Sequence, residues 1–216
     1  MQWFIDFDDT LAVGPITWAF DHVIPQMIEK NHLTYDEAIY SEAVLTAQRQ
    51  GNDNVDEKTV IDDFFTTIGW PHHLKDQFLR DIYEGYTPTL FDDSTAFMDR
   101  LTADGHKIFI ISNNNHAPYL AQQLGIEHYF TAIFTPKACG GVRGKPQRDM
   151  WDYVMAQSVV DSSAPVVIVG DDPWSDGDFA QNCNTPCWIL DRMSRFSSLH
   201  TSKPFRWAKS LNEIAY

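Results

Sequence analysis

Trp3-Phe4-Ile5-Asp6-Phe7-Asp8-Asp9-Thr10-Leu11 is a short apolar run that breaks into three carboxylates. Residues 3–5 carry no polar interruption, as expected of a strand buried on both faces of a parallel sheet. A strand delivering Asp6, Asp8 and Asp9 at its end sets like charges against each other. That raises their pKa values unless a cation compensates. Oxygen ligands at this spacing suit Mg²⁺, which takes one or two carboxylates and completes its shell with water and substrate phosphate. The plainer alternative is a solvated Asp-rich turn after a buried strand, and residues later in the chain decide between them.

Beyond Thr10 the apolar spacing turns helical and stays so to about residue 83. Ile16, Phe20, Val23, Ile24, Met27 and Ile28 share one helical face, which Pro25 should kink or divide. Thr34 with Glu37 reads as a capping box opening a second helix. The stretch 50–54 is a polar break, and two more helices are expected around 60–68 and 74–83. Four helices without a strand between them predict a small bundle inserted into another domain, with 85–88 as the return hinge. The expected division is 1–14 and 88–216 for an α/β core, and 15–87 for the helical insertion.

From Phe91 onward helices alternate with strands expected at 107–111, 132–134, 166–169 and 187–190. This pattern implies right-handed crossovers and a doubly wound, Rossmann-like parallel sheet. The tail from 191 to 216 carries no clear periodicity.

The bulk numbers narrow the function. The 216 residues are 44% hydrophobic and 13% aromatic, enough for a packed core. A net charge of −14 argues against nucleic acid as a partner, because backbone binding needs clustered Lys and Arg. It leaves room for a small phosphorylated substrate in one locally positive pocket. No apolar run approaches a membrane span. Cys139, Cys183 and Cys187 are odd in number and offer no second pair for zinc, so reduced thiols are expected. The histidines His72, His73 and His116 have no metal-ligand spacing. The expectation is a cytoplasmic protein, monomer or homodimer, with no membrane partner.

Ligands of open α/β sheets bind beyond the carboxyl ends of the strands. Polar groups recur there: Asp6, Asp8 and Thr10 after the first strand, Ser112 and Asn113 after the second, and Gly170-Asp171-Asp172 with Asp176 after 166–169. Between the last two sets Gly144-Lys145-Pro146 holds a lone cation just before a helix start. Each has an ordinary explanation as a cap or turn; four together do not.

These four elements resemble the signature motifs of the haloacid dehalogenase-like (HAD) hydrolase superfamily, in their usual order. Residues 6–10 match DxDxT, 108–112 match the apolar strand ending in Ser or Thr, Lys145 matches the lone basic motif, and 170–176 match GDxxxxD. Asp172 and Asp176 both fit as the second acid of that last motif. The insertion resembles the superfamily's C1 cap. The resemblance implies a Mg²⁺-dependent phosphatase with Asp6 as nucleophile and Asp8 as general acid and base. It implies metal ligands drawn from Asp6, Asp8, Asp171, Asp172 and Asp176, and phosphate held by Thr10, Ser112, Asn113 and Lys145. Asp8 argues against a dehalogenase, which lacks that second carboxylate. A phosphomutase or other phosphotransferase keeps it and stays open. A phospho-receiver-like binding module is shorter and has no reason to carry a helical insertion. Arg49, beside the polar break, is the candidate for binding the substrate's non-transferred part.

Overall fold

The computed structural model describes residues 1–52 and 56–215. The chain divides into two compact units, Met1–Gly14 with Pro88–Tyr216, and Pro15–Thr87.

The first unit is built on a six-stranded sheet: β1 (Gln2–Ile5), β2 (Lys107–Ile111), β3 (Phe130–Phe134), β4 (Val166–Gly170), β5 (Cys187–Leu190) and β6 (Arg206–Ala208). The order is β3-β2-β1-β4-β5-β6 and every pairing is parallel. All four residues of β1 are buried, as its unbroken apolar run requires of a strand covered on both faces. Trp3 and Ile5 enter one layer with Phe97, Met98 and Leu101 of α6 (Ser94–Ala103) and Ala121 of α7 (Ala117–Gln123). Phe4 enters the other, stacked on Phe109 at 4.7 Å and edge-on to Trp151 of α8 (Asp149–Met155) at 5.2 Å. That second layer also holds Phe179 of α9 (Asp178–Asn182). Helices on both faces of a parallel sheet make the doubly wound α/β architecture that the alternating pattern predicted. The chain winds outward through β2 and β3, then returns beside β1 and winds the other way. The switch point therefore lies between β1 and β4, where such sheets bind their ligands.

The loop after β1 is tied down from several sides. Asp9 adopts a left-handed φ of 55°, and its Oδ1 accepts a hydrogen bond from the Gly14 amide at 2.8 Å. The Val13 amide donates to Thr89 at 2.8 Å and the Phe91 amide to Leu11 at 3.1 Å, so the outgoing and returning segments lie side by side. Ser94 Oγ donates to the Leu11 carbonyl at 2.7 Å. Arg192 grips Asp93 through both nitrogens at 2.9 Å and reaches the Thr10 carbonyl at the same distance.

The second unit contains α1 (Pro15–Trp18), α2 (Ile24–Asn31), α3 (Glu37–Asn52), α4 (Glu57–Ile68) and α5 (Lys75–Gly85). Its core gathers Met27, Phe65, Trp70 and Phe78, with Phe65 edge-on to Trp70 at 5.7 Å and to Phe78 at 5.5 Å. Pro25 marks a change within the first helical stretch: residues 19–23 form a π-helical turn, and the proline falls in the first turn of α2. The Thr34 capping box is corrected. Asp36 caps α3, accepting from the amides of Ala38 and Ile39 at 3.0 Å, because Thr34 stands too early in the chain. The Thr34 carbonyl accepts from Trp70 Nε1 at 3.2 Å. Of the expected polar break at 50–54, residues 50–52 continue α3, while 53 and 54 lie outside the described residues.

Candidate active site

Two strand ends, the turn after one of them and one loop deliver the charged groups. β1 supplies Asp6, which is 8% exposed, and β4 supplies Asp171, 7% exposed. The turn at 173–177 brings Asp176 back over the end of β4, where it is 1% exposed. Ligand oxygens of these three carboxylates all lie within 4.8 Å of one another. Gly170 permits this, because a Cβ there would collide with the Asp176 carboxylate.

Lys145 reaches this cluster from the loop before α8. Its ammonium donates to Asp6 Oδ1 at 2.7 Å and to Asp176 Oδ1 at 2.5 Å, with only 2% of the side chain exposed. The loop itself is stapled: Asn113 Nδ2 donates to the Lys145 carbonyl at 2.8 Å, and the Lys145 amide donates to Asn113 Oδ1 at 2.7 Å. Gly144 leaves the space for that amide, since a Cβ there would strike Asn113 Oδ1.

Asp8 stands apart from the trio. Its Oδ2 accepts from Asn114 Nδ2 at 2.8 Å, while Oδ1 is buried with no partner among the described residues. The Asn114 amide cannot turn over, because its Oδ1 already accepts from the His116 amide at 2.8 Å. Thr10 Oγ1 is likewise buried and unpartnered among the described residues, and Ser112 Oγ accepts from the Asn114 amide at 3.1 Å.

The electrostatics follow from too many acids and too little water. Burial raises Asp6, against the pull of Lys145. It lifts Asp8 to about 6, with the Asn114 hydrogen bond opposing. It drives Asp171 well above the carboxylate range, helped by the charges of Asp9 and Asp176 and resisted by Arg195. Asp176 rises to about 7, burial outweighing Lys145. Burial would lower Lys145, but Asp176 and Asp6 together push it above its ordinary value. At neutral pH the lysine stays charged and the carboxylates compete for the remaining compensation. A multivalent cation among Asp6, Asp171 and Asp176 would relieve that competition, and an all-oxygen donor set suits a hard ion.

The structure sorts the residues proposed from sequence. Asp6, Asp171, Asp176 and Lys145 converge, and Asp8, Thr10 and Ser112 belong to the same strand ends. Asp172 lies outside the carboxylate trio among the described residues, and its Oδ1 accepts from the amides of Trp174 and Ser175 at 2.7 and 3.0 Å, capping the turn. Of the two acids that fitted the last motif, Asp176 is the one bound to Lys145. Asn113 spends its carboxamide on the Lys145 backbone rather than presenting it to a ligand. Arg49 lies exposed on α3 of the second unit.

Two residues escaped the sequence. Asn114, one position beyond the expected amide, holds Asp8. Arg195, in the tail without periodicity, sits 3.6 Å from Asp171. The run Asn113-Asn114-Asn115 gave no means of telling which amide faces the acids.

A family model for haloacid dehalogenase-like hydrolases matches residues 4–184. The chain belongs to the haloacid dehalogenase-like hydrolases. The match spans every element of the site except Arg195, and it makes the protein an enzyme with hydrolase activity. Solved HAD structures share the fold at low identity. YfnB of Bacillus subtilis, a HAD hydrolase solved bound to magnesium, aligns with a TM-score of 0.68 at 17% identity, covering 98% of this chain and 95% of that one. A HAD family hydrolase of Deinococcus radiodurans with bound phosphate and sodium aligns at 0.69 and 18% identity, covering 98% and 92%. A HAD phosphatase of Thermococcus onnurineus aligns at 0.58 and 16%, covering 98% and 94%. A search of the curated proteins returns no match. Among the described residues no helix is long and apolar enough to cross a membrane, and all three cysteines are buried and unbridged.

Proposed function

We propose that this HAD hydrolase is a magnesium-dependent phosphatase that removes phosphate from a small phosphorylated metabolite through an aspartyl-phosphate on Asp6. The observation that carries the reading is the trio Asp6, Asp171 and Asp176 closed around one buried lysine. A metal held by Asp6, Asp171 and, as in the family, the Asp8 carbonyl supplies positive charge against the transferring group's oxygens. The insertion, residues 15–87, is assigned to substrate selection, with Arg49 as its candidate contact.

The rest of the chemistry belongs to the chain. Lys145, anchored by Asp176, favours the ionised form of Asp6 against the effect of burial. An Asp6 oxygen attacks phosphorus as the bond to the leaving oxygen breaks, and Asp8 gives that oxygen its proton. A water then attacks the phosphorus of the aspartyl-phosphate and passes a proton to the Asp8 carboxylate. The Asp6–phosphate bond breaks, releasing inorganic phosphate and restoring both acids. Asp8 fits this double duty: Asn114 fixes one oxygen and leaves the other unengaged. Thr10, Ser112 and Lys145 are positioned to receive phosphate oxygens, and Asn113 serves by holding the Lys145 loop. Placement and charge do most of the work in phosphoryl transfer.

Protein stripped with EDTA should lose hydrolysis of p-nitrophenyl phosphate and recover it on adding Mg²⁺. An undiminished rate after stripping would refute the metal assignment. Asn114→Ala should cost about 10- to 100-fold in kcat/KM on an alkyl phosphate, because small misplacements of a catalytic group are expensive. On p-nitrophenyl phosphate, whose leaving group barely needs a proton, the first chemical step should suffer much less. Equal losses of burst rate on both substrates would assign Asn114 to the fold instead.

A further inference from the structure

The tail after β5 carries three cations bound to acids of the first unit, and one of them is bound differently. Arg192 meets Asp93 with two hydrogen bonds of 2.9 Å. Lys203 meets Asp178 at 2.7 Å. Arg195 instead stops 3.6 Å from Asp171, beyond hydrogen-bonding distance, although its side chain is only 13% exposed. Its Nη1 is buried without a partner among the described residues. No hydrogen bond to the Asp171 carboxylate is found among the described residues either.

Arg195 has little freedom to be there by accident. Ser194 before it takes a left-handed φ of 58°. Phe196 after it is 1% exposed, and its amide donates to both oxygens of the buried Asp191 at 3.2 Å. The Phe196 ring packs edge-on against Trp174 at 5.5 Å, in the turn that follows Asp171 and Asp172. The guanidinium is thus held against the β4 end by a buried anchor.

A cation meant to clip a carboxylate uses its paired N–H groups, as Arg192 does on Asp93. Arg195 gives Asp171 its charge while leaving the carboxylate oxygens unclaimed. We propose that Arg195 is a resident counter-cation for Asp171 that sets how tightly the site takes up magnesium, an inference that rests on the magnesium reading above. In metal-free protein it favours the ionised form of Asp171, which burial opposes. When metal binds the same carboxylate, the guanidinium repels it and keeps affinity in check. By linkage, the change in Mg²⁺ affinity on removing Arg195 must equal the amount by which bound Mg²⁺ changes Arg195's contribution to stability.

The test uses the whole 216-residue chain stripped by chelation and titrated calorimetrically with magnesium chloride alone. Arg195→Gln should bind Mg²⁺ about tenfold more tightly than wild type, as removing a like charge a few ångströms away in a partly buried site implies. Arg195→Lys, which keeps the charge, should stay close to wild type. Without metal, Arg195→Gln should melt below wild type, and saturating Mg²⁺ should narrow that gap, since a tighter ligand stabilises more. Unchanged affinity with a melting gap independent of Mg²⁺ would make Arg195 a structural clip and overturn the proposal, as would an Arg195→Lys protein that behaves like Arg195→Gln. Should Arg195→Gln not fold, wild type labelled at its arginine nitrogens carries the test. The Arg195 Nε signal should move on adding Mg²⁺ while that of Arg192 stays, and an unmoved Arg195 signal overturns the proposal. Wild type that takes up no Mg²⁺ at all refutes the magnesium reading and this inference together. Normal uptake with equal affinities refutes this inference alone.

Discussion

Asp8→Asn protein mixed with p-nitrophenyl phosphate should release one burst of nitrophenol and keep phosphate on the peptide containing Asp6, whereas Asp6→Asn protein should do neither. The expectation comes from the division of labour at the end of β1. Asp6 lies 2.7 Å from the Lys145 ammonium, which favours the ionised, nucleophilic form. Asp8 is held by Asn114 through one oxygen, and its other oxygen is free to exchange a proton. Asparagine at position 8 preserves size and the contact to Asn114 after an amide flip, but it cannot give or take a proton. Loss of a general acid–base group costs about 10²–10⁴-fold. The burst survives because nitrophenolate leaves without help, while hydrolysis of the intermediate needs a base whatever the leaving group was. Removing the nucleophile should cost at least about 10⁴-fold in turnover. Intact-protein mass spectrometry reads the adduct, and stopped-flow absorbance reads the burst. A phosphate mapped to any residue other than Asp6, or a fully active Asp8→Asn enzyme, defeats the mechanism.

Lys145→Met should destabilise the first unit by about 3–5 kcal/mol at pH 7 in metal-free protein. That is the usual cost of deleting one partner from a buried ion pair. Lys145 and Asp176 expose 2% and 1% of their side chains, so water cannot replace the missing charge. The pH dependence has a definite sign. Asp8 and Asp176 are raised from 3.8 in the unfolded chain to about 6 and about 7 in the fold. Groups raised on folding contribute stability that is complete below the unfolded value and is lost as pH climbs through the folded one. Metal-free wild type should therefore lose stability between about pH 4 and pH 7. The variant should lose it more steeply, because Lys145 is what moderates Asp6 and Asp176. Urea denaturation at pH 5 and pH 7 tests this: a penalty no larger at pH 7 than at pH 5 contradicts it.

What could be read in the sequence was what repeats in one dimension. The apolar runs of β1, β2, β4 and β5 declared a parallel sheet, and the groups after them pointed to a site, because strand direction and ligand position are linked in this architecture. The finer choices depended on three dimensions. Asp172 and Asp176 are equally acidic on paper; only the turn at 173–177 decides that one caps the backbone and the other folds back onto Lys145. Asn113 and Asn114 are identical in chemistry, and one step around the chain sends one to Lys145 and the other to Asp8. β6 and Arg195 were hidden because a three-residue edge strand and an irregular loop have no period to detect. Thr34 was misread for the converse reason: the capping pattern was present, but Asp36 stood nearer the helix start.

The sheet order carries a consequence for how the protein is made. β1 pairs with β2 through Gln2 and Lys107, and with β4 through Gln2 and Val166. β1 is thus flanked by strands that leave the ribosome much later than it does. At about 5–20 residues per second, its apolar residues wait on the order of ten seconds for the second neighbour. During that interval Trp3, Phe4 and Ile5 form an apolar segment with no sheet to join. The same delay silences the nascent chain: Asp6 is synthesised well before Lys145 and Asp176. On the proposed mechanism, a truncated translation product bearing the whole first motif is therefore inert.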